Sequence, residues 1–180
     1  MFSVVAGSSS QQPTGKVYCI VKDPAKAEEA TKAMSGVAGL SVHNQALTRT
    51  GATTLDAFVG ANINGTINVL DLENGEEFDA LAGGRHQTLP RTEYLTYMFD
   101  WKGSWSGYGR NTKIVTGMLD KLGFTCYWAG AGKLWRITSC MYKEYGEANK
   151  YWSHVACANR NLAPLLVEEM ESLFNATISG

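Results

Sequence analysis

Two carboxylates, Asp71 and Glu73, lie two residues apart in the stretch INVLDLENGEEFDALAGG, residues 67–84. A largely apolar run from Ile67 to Leu72 carries Asp71 near its end. A turn at Asn74-Gly75 and an acidic helix start at Glu76 and Glu77 follow. Acidic residues ahead of a helix stabilise its amino end through the macrodipole and capping, which accounts for Glu76 and Glu77. Asp71 falls inside the predicted strand, where a carboxylate needs a partner. It is therefore the first candidate for moving a proton, with Glu73 second and His86 third.

A second group follows the next apolar run, EYLTYMF at 93–99. Asp100, Trp101, Lys102, Trp105 and Tyr108 cluster among glycines at 103, 107 and 109. Aromatic rings beside a carboxylate and an ammonium suit stacking on a sugar or other planar acceptor. Trp101, Lys102 and Trp105 are the substrate-binding candidates. The plain structural alternative is that the tryptophans pack over the rim of a sheet.

The elements that must position these groups alternate between strand and helix. KVYCIV (16–21) reads as a strand closed by Asp23-Pro24, an N-cap with proline at the first helical position. The helix behind it carries Ala27, Ala30, Thr31 and Met34 on one face and stops near Gly36. LSVHNQAL (40–47) alternates as a strand, and TTLDAFV (53–59) reads as a helical turn capped by threonine. Strand 67–72 leads into a helix at 75–82 that Gly83-Gly84 ends. A helix near 111–122 places Ile114, Val115, Met118, Leu119 and Leu122 on one side, with Gly123 as its stop. FTCYWAG (124–130), KLWRIT (133–138) and SHVACAN (153–159) are strands, and 162–174 is an amphipathic helix. Early β-α alternation with apolar strands predicts an α/β fold: a doubly wound, mostly parallel sheet with an antiparallel C-terminal edge. In such sheets ligands bind at the carboxyl ends of the strands, where Asp71 and Glu73 lie.

Composition narrows the function classes. The chain has 180 residues, 44% of them hydrophobic, enough for one domain with a substantial core. A net charge of −1 and a pI near 6.3 give no footprint for nucleic acid or an anionic membrane. No segment approaches the roughly 20 apolar residues of a membrane span. MFSVVAGSSS lacks the basic residue a signal peptide carries ahead of its apolar run. Cys19, Cys126, Cys140 and Cys157 form no C-x-x-C, and core thiols of a reducing, cytoplasmic compartment are expected. His43, His86 and His154 are scattered and read as structural or exposed, so no metal site is expected.

The ordered set of motifs resembles the FkbM-type methyltransferases, S-adenosylmethionine-dependent O-methyltransferases with a Rossmann-like fold. TTLDAF followed by INVLDLENGEEFDALAGG is similar to that family's T-T-L-D-x-F, then a strand ending K-I-D-x-E-G and a helix closing on L-x-G. GKVYCIVKDP resembles its second strand, and NQALT its N-x-A-L-S after the third. EYLTYMFDWKGSW, LGFTCYWAGAGKLWRIT and YWSHVACANR resemble its distal half. The match spans most of residues 15–160. It implies S-adenosylmethionine as cofactor, held by Asp71, Glu73 and Ala46. It also implies O-methyl transfer to a hydroxyl of a sugar, lipid or small metabolite, with a small-molecule or glycan acceptor as partner.

The departures sit where the cofactor would bind. The family's first strand and its G-x-N-x-G loop should precede GKVYCIV, and FSVVAG reads as the end of the helix after that loop. The single domain, 1–180, is thus expected to be N-terminally incomplete, its first strand missing or replaced by residues 2–6. VGANING (59–65) imitates the loop but follows a helix rather than a strand. Val21 stands where an acid would hold the ribose hydroxyls, and Asp23 is better explained as a helix cap. Val69 replaces the family's lysine, and Asn74 its glycine. Weak cofactor binding is the expectation. The alternative function is a non-catalytic relic of the fold that keeps a binding face.

Overall fold

The computed structural model describes residues 2–6, 15–73, 75–100, 103–107, 109–139 and 152–179. Eight strands form one sheet: β1 (Phe2–Ala6), β2 (Lys16–Val21), β3 (Leu40–Asn44), β4 (Ile67–Leu72), β5 (Thr92–Asp100), β6 (Phe124–Gly130), β7 (Lys133–Arg136) and β8 (Trp152–Asn159). Their order across the sheet is β3-β2-β1-β4-β5-β8-β6-β7. Among the described residues five α-helices accompany them: α1 (Pro24–Ala33), α2 (Leu55–Asn62), α3 (Glu77–Gly83), α4 (Thr112–Lys121) and α5 (Pro164–Ser179).

The α/β class is as the sequence predicts, but the mostly parallel sheet is not. Of the seven strand pairings among the described residues, β2–β3 and β4–β5 are parallel and the other five are antiparallel. The main cause is β1. Residues 2–6 are a strand rather than a helix end, and they lie between β2 and β4, antiparallel to both. A parallel neighbour needs a crossover of about a dozen residues or more, and only residues 7–15 separate Ala6 from Lys16. The short connection dictates the direction. Pairing on both sides uses backbone groups of β2 and β4 that a missing strand would have left open. The antiparallel C-terminal edge is as expected: β8, β6 and β7 extend the sheet beyond β5 by antiparallel pairings, with β7 outermost.

Local signals hold well. Asp23 Oδ1 accepts from the amides of Ala25 (2.9 Å) and Lys26 (3.3 Å), capping α1 ahead of Pro24. Thr54 caps α2 through the Ala57 amide, 3.1 Å away. Helix α2 runs on through residues 59–62, so the glycine-loop imitation is partly helical. Gly83-Gly84 does end α3, although neither glycine takes a left-handed conformation there. A Cβ at Gly83 would instead lie 2.5 Å from the Thr48 carbonyl oxygen, so close approach is what requires glycine.

Strand alternation sorts the side chains onto two faces. Leu70, Leu72, Leu95, Tyr97 and Phe99 meet α2, α3 and α4 in the larger core. On the other face Tyr127, Ala156 and Ala158 pack against Met170 and Phe174 of α5, with Tyr94 beside them. Asp71, alternating with Leu70 and Leu72, belongs to this second face.

Cys126 and Cys157, opposite each other on β6 and β8, are joined as a disulfide. This corrects the expectation of core thiols, because facing positions on adjacent strands bring the two sulfurs together. Cys19 is a buried free thiol, as expected; Cys140 lies outside the described residues.

Candidate functional site

The carboxyl ends of β4 and β5 and the amino end of β8 share one edge of the sheet, because β8 runs antiparallel to β5. Three elements thereby bring four titratable groups together. Asp71 stands opposite Thr96 of β5. Its Oδ1 is buried and has no hydrogen-bond partner among the described residues. Burial first, and then the neighbouring Glu73 charge, raise its carboxyl above the ordinary range. Burial and the Asp71 charge likewise raise the Tyr94 phenol.

Glu73, just past the strand, places Oε1 2.7 Å from His154 Nε2. The two are an ion pair when the imidazole is protonated. Both side chains remain more than a third exposed, so the pair is open to a ligand. His154 is the residue sequence reasoning missed. The signal lay in YWSHVACANR: an antiparallel last strand has its first residues at the carboxyl edge of the sheet.

A second cluster ties together the loops after β2, β3 and β4. Glu76 Oε1 lies 2.7 Å from Lys22 Nζ, and its Oε2 accepts from the Leu47 amide at 3.2 Å. The Glu76 hydrogen bond and charge raise the Lys22 ammonium above its ordinary value. The assignment of Glu76 to helix capping is corrected here, since its side chain makes no cap hydrogen bond. Glu77 does serve the helix start, accepting from the Gly75 amide. Exposed Ala46 sits beside Leu47 in this cluster, on the β3 side of the edge from Asp71 and Glu73.

The aromatic candidates divide. Trp101 and Lys102 lie outside the described residues. Trp105 is 3% exposed: its ring meets Tyr97, Phe99 and Phe78, and its Nε1 donates to the Met98 carbonyl at 3.2 Å. It is a core residue and stacks on no substrate, which corrects its assignment. The reason is the following 103–105 turn, drawn inward where Ser104 Oγ accepts from the Phe78 amide and its own amide donates to the Gly75 carbonyl. His86, past the far end of α3, accepts from Arg85 Nε at 2.8 Å and takes no part in this edge.

The fit to S-adenosylmethionine is partial. The orphaned Asp71 oxygen suits a donor or a cationic group. Val21, by contrast, is buried, and its carbonyl is used by Asn44 Nδ2 and the Gln45 amide. The antiparallel β1 sends its carboxyl end to the opposite edge, away from where a glycine loop would serve the cofactor. Among the described residues no group of three or more His, Cys, Asp or Glu is placed to hold a metal. No helix among them is long and apolar enough to cross a membrane. In comparison with known proteins, the chain matches no protein-family model, no curated protein and no solved structure.

Proposed function

We propose that this chain is an S-adenosylmethionine-dependent methyltransferase of Rossmann-like fold that acts on a hydroxyl of a sugar, lipid or small metabolite. The supporting observation is the Asp71–Glu73–His154 group at the carboxyl edge of β4, on the motif that carries the family resemblance. The cofactor would supply an activated methyl group, so the protein's task is alignment, exclusion of water and removal of one proton. Asp71, with its unpartnered oxygen, holds the cofactor's charged end. Glu73 accepts Nε2–H of His154, which leaves the lone pair on Nδ1 to take the acceptor's proton. Carboxylate-oriented imidazoles work in this way in general-base catalysis.

A second reading is a binding module without catalysis, favoured by the direction of β1 and the burial of Val21. Isothermal titration with S-adenosylmethionine, on the chain and on Asp71→Ala, separates the two. Hydrogen bonds to charged groups contribute about 1.5–3 kcal/mol each, roughly one to two orders of magnitude in affinity. Binding that Asp71→Ala abolishes supports the methyltransferase. No binding at millimolar cofactor favours the module, and binding indifferent to the substitution refutes the role of Asp71.

A further inference from the structure

We propose that the groove between α3 and α4 binds a single-chain amphiphile with an anionic head, a long-chain carboxylate. The groove lies on the larger-core face of the sheet, opposite Asp71, and the inference does not depend on methyl transfer. Its inner part is a cavity of about 250 Å³ floored by Phe78, Ala82, Val115 and Met118. It continues past Arg85, Ile114 and Met118 into an outer space of about 650 Å³. Those three residues line both parts, so the two spaces adjoin.

Charge and apolar surface are segregated along it. Arg49 and Arg85 border the inner part; Arg85, His86, Lys113 and Lys121 border the outer one. Among the described residues no carboxylate lines either part, although the whole chain is slightly acidic at −1. Two acids of the flanking helices are engaged elsewhere. Asp56 accepts from the amides of His86, Gln87 and Thr88, and Asp79 pairs with Arg110. Ile114, expected on the buried side of α4, is 52% exposed at the lip.

The shape selects among anionic partners. An apolar cavity of about 150 Å³ already admits benzene, so the inner part has room for several methylenes of an alkyl chain. A partner helix, about 10–12 Å across with its side chains, does not enter a space of that size. Met118 gives the floor an adaptable thioether. An alkyl tail over Phe78 and Met118, with its carboxylate between Arg85 and Lys121, satisfies both halves of the groove.

The test titrates laurate, below its aggregation concentration, into the full chain and follows heat or intrinsic fluorescence. Saturable binding is expected, weakened about tenfold or more by Arg85→Glu combined with Lys121→Glu. Ala82→Trp, which fills the inner part and leaves the rim charges in place, should weaken it comparably. Circular dichroism and the melting temperature verify that each variant is folded, and a destabilised variant is replaced by Arg85→Gln or Ala82→Leu. Dodecyltrimethylammonium, with the same tail and the opposite charge, should bind at least tenfold more weakly than laurate. Equal binding of the two, no binding of laurate, or binding that survives both variants would overturn the proposal. So would binding to phosphatidylglycerol vesicles or to an acidic amphipathic peptide without binding of monomeric laurate. The same variants should leave the S-adenosylmethionine titration unchanged, so failure of either reading is visible independently.

Discussion

His154 Nε2 and Glu73 Oε1 lie 2.7 Å apart, although the residues are separated by 81 positions in the chain. The contact joins β8 to the residue after β4 across the intervening β5. Both side chains are well exposed, and exposed pairs contribute only about 0.2–1 kcal/mol. His154→Ala is therefore expected to lower the melting temperature by no more than about 2–4 °C. If His154 is the general base proposed above, the same substitution should reduce methyl transfer by about 10²-fold or more. A thermal melt and a transfer assay on the same variant check this. A large loss of stability with unchanged turnover would make the pair structural.

Asp71 predicts a pH dependence. Its carboxyl is raised above the ordinary value of 3.8, chiefly by burial, so the native state prefers the protonated form. Below the ordinary carboxylate range both states are protonated, and the group's contribution is fully present. As pH rises, the unfolded chain ionises first, and stability is lost until pH passes the native value. Asp71→Asn removes this slope. The variant should gain stability relative to the parent at pH 7 compared with pH 4, as read from paired thermal melts. A difference that stays constant with pH would show that Asp71 is not desolvated.

Trp105 is predicted to matter for stability and not for a ligand. Its ring fills the space among Phe78, Tyr97 and Phe99. Truncating a buried tryptophan to alanine costs about 3–5 kcal/mol. Trp105→Ala should shift denaturant unfolding by that order, whereas Trp105→Phe should lose less and bind any sugar acceptor unchanged. A stable Trp105→Ala protein would contradict the packing.

The Cys126–Cys157 disulfide closes a segment of sequence separation 31. Chain-entropy reasoning for a loop of that length gives about 3–4 kcal/mol of stabilisation. Alkylation in denaturant without reductant should leave the two cysteines unlabelled, with their peptides linked by mass. Reduction should lower the melting temperature by about 6–16 °C for a chain of this size. Labelling of both residues before reduction would show free thiols.

Much of this protein is written in short stretches of sequence. The caps at Asp23 and Thr54, proline at the start of α1, and the strand carrying Asp71 are visible because their causes lie within a few residues. Steric preference and local hydrogen bonding need no knowledge of the rest of the chain. Asp71 itself was legible as a carboxylate within an apolar strand. Tertiary structure decided what depends on distant neighbours. Residues 2–6 became a central antiparallel strand because β2 and β4 offered two open edges and residues 7–15 left no length for a crossover. Glu73 found His154, and Glu76 found Lys22, because strand order, a property of the whole sheet, set which loops meet at the carboxyl edge. Trp105 left the surface because the turn at 103–105 bonds to residues 75–78. Aromatic composition is the same for a stacking platform and a core, and only burial tells them apart.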